Sequence, residues 1–170
     1  DGTRYKRPIN QWCDPIGVLD HDEFTYWGVA QSAVEMKRIH TQGAAFVFTA
    51  SDPFIGIDLD KCLEDYTPKE WVIPILDAFR GTYIEYSPSL TGLKIYCIGN
   101  KPHSRCNTKI EHHDDVIGAI ECYSERRFFT FTGDRFPGAG EDVIDQQGAI
   151  DWLFKQYLPK FEPLIYEPNI

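Results

Sequence analysis

Six short apolar runs, each five to seven residues long and bounded by glycine, proline or small polar residues, commit this chain to a fold built on a sheet. They are Ala44 to Thr49, Phe54 to Asp60, Thr82 to Tyr86, Leu93 to Ile98, Gly118 to Tyr123 and Phe128 to Thr132. The turn signal Ser51-Asp52-Pro53 between the first two predicts that they pair as a hairpin. Helical periodicity is confined to three places. Trp27, Ala30, Val34 and Ile39 share a face between Phe24 and Ile39. Thr67 is placed to cap a helix running to Arg80, with Pro68 at its first position and Glu70 at its third. Pro74 inside that helix predicts a kink or a displaced start. A last helix is expected from Val143 to Tyr157, stopped by Pro159. Strands mixed with helices in this order predict an α+β fold, a mixed or antiparallel sheet flanked by helices on one face.

With 170 residues and 42% hydrophobic content, one core is expected. Residues 1–26 read as an N-terminal arm, 27–158 as the core, and 159–170 as a tail or a linker to a further domain. Five cysteines with no C-x-x-C pair fit a reducing cytoplasm, and Cys97 and Cys122 lie in apolar runs where a thiol acts as a small hydrophobe. No stretch approaches the ~20 apolar residues of a membrane span, so no membrane partner is expected. The net charge of -9 argues against a protein coated in cations for wrapping duplex DNA. Charge is nevertheless uneven. Tyr86 to Ile110 contains no acid but holds Lys94, Lys101, Arg105 and Lys109, and Arg4, Lys6 and Arg7 stand unopposed near the start. Such local patches on an acidic body fit either a phosphate-bearing ligand at a defined site or solvated surface cations.

The chemistry-bearing residues fall in a definite order. Asp58 and Asp60 lie two apart on an expected strand, so both carboxylates reach the same face and can share divalent cations. Ser87-Pro88-Ser89-Leu90-Thr91-Gly92-Leu93-Lys94 follows, a turn with the hydroxyls, backbone N–H groups and cation that a triphosphate needs. Glu121 then puts a third carboxylate in an apolar strand, where it either faces solvent by alternation or joins a metal. On these readings an aspartate-to-alanine change at 58 or 60 relieves like-charge repulsion and leaves folding intact. His103, Cys106, His112 and His113 form a second cluster, in an expected loop, whose spacing matches no standard zinc pattern. Trp12, Tyr26 and Trp27 are candidates for base stacking.

D-x-D, the Ser/Gly turn and the strand glutamate, in that order, resemble the three motifs of the archaeo-eukaryotic primase (AEP) superfamily. The nearest likeness is to primase-polymerases fused to helicases in phages and plasmids. The resemblance extends over most of residues 6–133. It takes in Lys6-Arg7-Pro8-Ile9-Asn10, Phe46-Val47-Phe48-Thr49, Ser51 to Asp60, Tyr83 to Ser89, Ala119 to Ser124 and Arg127 to Gly133. It implies an RRM-like catalytic core with Asp58, Asp60 and Glu121 as catalytic ligands of Mg²⁺ or Mn²⁺, and Ser87, Ser89, Lys94 and Arg127 as nucleotide-binding residues. The implied partners are a DNA template and primer, nucleoside triphosphates, and a helicase domain in the same full-length protein. One departure stands out: the family usually has histidine where this chain has Lys94. A lysine offers a charged, flexible donor without imidazole's fixed geometry. The alternative reading is therefore a catalytically weak or inactive relative that binds nucleic acid or nucleotide and recruits a helicase. A metal-dependent nuclease would also cluster acids, but the intervening phosphate turn favours a triphosphate substrate.

Because few cations are free of neighbouring acids, the chain is expected to bind random duplex DNA weakly and with a modest salt dependence. A titration of binding against salt checks this, and nanomolar affinity at physiological salt would contradict it.

Overall fold

The computed structural model describes residues 44–160. The expected arm, the Phe24 to Ile39 helix, Trp12, Tyr26, Trp27 and the tail from residue 161 lie outside the described residues. Among the described residues there are nine strands: β1 (Ala44–Phe48), β2 (Phe54–Asp60), β3 (Leu63–Glu64), β4 (Thr67–Pro68), β5 (Tyr83–Tyr86), β6 (Leu93–Ile98), β7 (Asn107–His112), β8 (Asp115–Tyr123) and β9 (Arg127–Phe131). The helices are α1 (Ile73–Ala78), preceded by a 3-10 turn at Glu70–Val72, and α2 (Gln147–Tyr157). The fold is α+β, with a five-stranded sheet in the order β5-β6-β2-β8-β7, antiparallel throughout.

Strand β2 is the centre of that sheet, and its alternation decides what each face carries. Ile55, Ile57 and Leu59 turn to one side, where they join Ile84, Leu93, Ile95, Cys97, Ile120 and Cys122 in a buried core. Val72, Ile75 and Phe79 cover this core from the first helical segment, and Ile150, Leu153, Phe154 and Leu158 from α2 and its end. Gly56, Asp58 and Asp60 turn to the other side. Over Gly56 lies a separate antiparallel ribbon made by β1 and β9, whose Phe48 and Phe129 form a second small core with Tyr96. The two rings meet edge to face, centroids 4.9 Å apart. A β-carbon at residue 56 would lie 2.2 Å from Phe48 Cζ and 2.6 Å from Phe129, so glycine is required for the ribbon to reach the sheet.

Several expectations are corrected. The predicted hairpin between Ala44 to Thr49 and Phe54 to Asp60 does not form, because β1 takes β9 as its partner while both edges of β2 are occupied by β6 and β8. Thr67 and Pro68 belong to a short ribbon with Leu63 and Glu64 rather than to a helix start. Pro74 sits in the first turn of α1, which is the displaced start its missing N–H requires. The last helix begins at Gln147; Ile144 and Gln146 instead bond Ile98 through Ile144 O and Gln146 N, extending the sheet edge. Strand β7 was expected to be loop. Its sequence NTKIEH is mostly exposed at the sheet edge, so it shows no apolar alternation.

Replacing Gly56 by alanine should cost about 3 kcal/mol, at the top of the usual range for overpacking a tight core. Urea unfolding checks it. A variant within about 0.5 kcal/mol of the parent, the scale of ordinary surface changes, would mean that the ribbon does not press on β2.

Candidate active site

The strand register draws a line of polar side chains straight across the sheet. Asp58 on β2 stands opposite Lys94 on β6 and Glu121 on β8; Lys94 in turn stands opposite Glu85 on β5. Directly opposed residues share a face, so Glu85, Lys94, Asp58 and Glu121 all lie on the side away from the helices. Asp60 is on this side too, one repeat beyond Asp58 and opposite Ala119.

Two ion pairs hold the line. Lys94 Nζ donates to Asp58 Oδ2 at 2.8 Å, and both side chains are largely enclosed, with 6% and 14% exposure. The same ammonium rests 4.3 Å from the centre of the Phe129 ring, a cation–π contact supplied by the ribbon. Arg127, at the head of β9, donates to Glu121 Oε2 at 2.9 Å and lies over the Tyr123 ring. Burial, and then the negative charge of Glu121, push the Tyr123 hydroxyl up to about 12. The second oxygen of Asp58, Oδ1, is buried with no hydrogen-bond partner. A buried carboxylate oxygen left in this state is costly, and an added cation would relieve it.

The Ser87-to-Gly92 segment is the loop of the β5–β6 hairpin, closed by Ser87 N to Gly92 O at 2.9 Å and Leu90 N to Ser87 O at 2.9 Å. Its hydroxyls form a chain, Ser87 to Ser89 to Thr91, each step 2.9 Å. The loop lies against the end of β2: a β-carbon at Gly92 would be 2.7 Å from Leu59 O, 3.2 Å from Ser87 Oγ and 3.6 Å from Asp60 Cα. Thus the structure brings Asp58, Asp60, Glu121, Lys94 and Arg127 to one face and sets the serine loop at the Asp60 end of it.

Two readings change. Because Asp58 is the partner of a buried lysine, removing it leaves that ammonium uncompensated rather than relieving repulsion. The His/Cys cluster is dispersed: His103 packs edge to face against Phe154, whereas His112 and His113 meet edge to face at the far end of β7. Cys106 directly precedes β7 and His112 is its last residue, so the length of that strand, roughly 20 Å, lies between them. Among the described residues no group of three or more His, Cys, Asp or Glu side chains is gathered around a common metal position. In the polar line Lys94 stands between Glu85 and Asp58 and Arg127 pairs with Glu121, while Asp58 and Glu121 face each other directly. Glu85, fully buried on β5 opposite Lys94, is a member of the line that the sequence did not single out, since strand period assigns a face but not its burial.

No family model matches the sequence. A DNA primase-polymerase from Nitratiruptor phage NrS-1 is 34% identical over 116 residues, covering 66% of this chain. The chain spans 16% of the length of that relative. The similarity supports a primase-polymerase relationship. None of the described helices is long and apolar enough to cross a membrane.

Substituting Lys94 by methionine should destabilise the fold by about 2–4 kcal/mol, below the full cost for a completely buried pair because Asp58 retains some exposure. Adding Asp58→Asn to the same chain should recover at least about half of that loss, as a coupled pair requires. Denaturant melts of the two single variants and the double variant check this, and strictly additive costs would count against a coupled pair.

Proposed function

We propose that this chain is the nucleotidyl-transfer core of a DNA primase or DNA polymerase that serves replication of a phage, plasmid or other mobile element. The observation that carries the reading is the polar line across the sheet, in which Asp58 has one oxygen held by Lys94 and the other unpartnered. In this reading Asp58, Asp60 and Glu121 are the ligands of Mg²⁺ or Mn²⁺. The unpartnered Asp58 Oδ1 and the shared face of the three carboxylates fit that donor set. Divalent cations bound there would activate a primer hydroxyl and stabilise the leaving pyrophosphate.

The chain's own residues then have separable tasks. Ser87, Ser89 and the backbone of their loop cradle phosphates next to Asp60. Lys94 and Arg127 neutralise carboxylates in the ligand-free protein and turn to phosphate oxygens when a nucleotide arrives, each charge-assisted contact contributing roughly 1.5 to 3 kcal/mol. DNA template, primer and nucleoside triphosphates are the partners, and a helicase domain in the same full-length protein is part of the proposal. A second reading, a weak or inactive domain that binds nucleotide and recruits a helicase, is favoured by one observation. Lys94, at the family's histidine position, is committed to Asp58 at 2.8 Å.

Primer extension with purified protein, Mn²⁺ and a primed template separates the two. Extension by the parent chain that falls at least about a hundredfold in Asp60→Asn, a change at an exposed position, supports the enzyme reading, a loss of the size expected when transition-state charge stabilisation is removed. Lys94→His should preserve or raise extension. Inactivity of both the parent and Lys94→His, with nucleotide binding retained, would overturn it in favour of recruitment.

A further inference from the structure

The β1–β9 ribbon carries two of the contacts that organise the site, Arg127 on Glu121 and Phe129 on Lys94. Yet neither of its strands pairs with the five-stranded sheet. Its seat therefore depends on apolar packing, which has little directional preference, and on whatever hydrogen bonds tie its ends down. The strongest tie is at its C-terminal end. Glu85 is fully buried on β5, and its carboxylate accepts four groups. Oε1 takes the Tyr96 hydroxyl at 3.2 Å and Thr132 N at 3.1 Å; Oε2 takes the Tyr83 hydroxyl at 3.1 Å, Thr132 N at 3.2 Å and Gly133 N at 2.9 Å. Thr132 and Gly133 directly follow β9. Thr132 Oγ1 to Tyr86 O at 2.8 Å and Tyr86 N to Asp134 O at 2.9 Å continue the attachment along the β5 edge.

A buried carboxylate is costly unless its lone pairs are met, so this arrangement is demanding: all the donors must stay in place. Burial and the adjacent Glu85 charge hold both tyrosine hydroxyls well above their usual range, which keeps them protonated as donors. We propose that Glu85 is a positioning residue of the site: its carboxylate pins the Thr132–Gly133 end of the ribbon to the sheet and so sets Arg127 over Glu121. Glu85 touches neither nucleotide nor metal in this scheme; it acts through Arg127. The functional part of the proposal rests on the nucleotide-binding reading above.

The test uses Glu85→Gln, which keeps the shape but turns an amide NH₂ toward groups that are themselves donors. It is measured in the 170-residue chain alone and combined with Arg127→Ala. Binding of a fluorescent nucleoside triphosphate with Mn²⁺ should weaken about tenfold in the parent background and less than about twofold in the Arg127→Ala background, since residues acting through one contact are non-additive. Hydrogen exchange should quicken about tenfold or more at residues 127–133 while β2 and β6 keep their protection, the sign of local loosening. Equal losses of binding in both backgrounds, or exchange that quickens uniformly through the sheet, would overturn the proposal. If the parent binds no nucleotide, the functional reading fails, and the exchange pattern still decides whether Glu85 pins the ribbon. Should Glu85→Gln not fold, Tyr96→Phe, which removes one hydroxyl donor, is read in the same way with a smaller effect.

Discussion

Along β2 the buried residues Ile55, Ile57 and Leu59 alternate with Gly56, Asp58 and Asp60, and both edges of the strand are hydrogen-bonded to neighbours. A slip of one residue would drive two aspartates into the helix-covered core and expose three aliphatic side chains, so the register is held by the cost of that exchange. Everything else at the site inherits this register. Lys94 and Glu121 meet Asp58 because they are its partners across the two ladders, and the serine loop meets Asp60 because β6 begins beside the end of β2.

The polar line is crowded with charge, most of it enclosed at its Glu85–Lys94–Asp58 end, and each acid is matched by a neighbouring cation: Lys94 lies between Glu85 and Asp58, and Arg127 pairs with Glu121, which faces Asp58 across the ladder. Such an arrangement is stable only while each group has its neighbour, since the desolvation of a buried ion is offset by partners rather than by solvent. In the proposed function this feature would serve the binding of polyphosphate together with cations. A ligand carrying both signs can take over the internal pairs one for one, without leaving a bare charge at any point.

The ribbon illustrates how a fold can separate support from chemistry. Its aromatic side chains close over Gly56 and Tyr96, Arg127 at the start of β9 reaches the Glu121 end of the line, and the residues that follow β9 wrap the β5 edge. Two sets of contacts of different character thus act together: rings, which exclude water, and the Glu85 hydrogen bonds, which give direction.

Much of this was legible in the chain as written. The short apolar runs mark β1, β2, β5, β6, β8 and β9 to within a few residues, the D-x-D spacing places both aspartates on one face, and Pro74 announces the late start of α1. These are local matters, governed by side-chain period and by proline's missing N–H. Partnership was not local. That β1 would choose β9 over its sequence neighbour depended on rings from residues 48, 96 and 129 finding one another above a glycine. Strand β7 gave no apolar signal because its stability comes from pairing at an exposed edge. The roles of Lys94 and Glu85 were likewise decided by tertiary structure: period assigns a side chain to a face, but only the assembled neighbours determine whether that face is wet or buried, and which charge meets which.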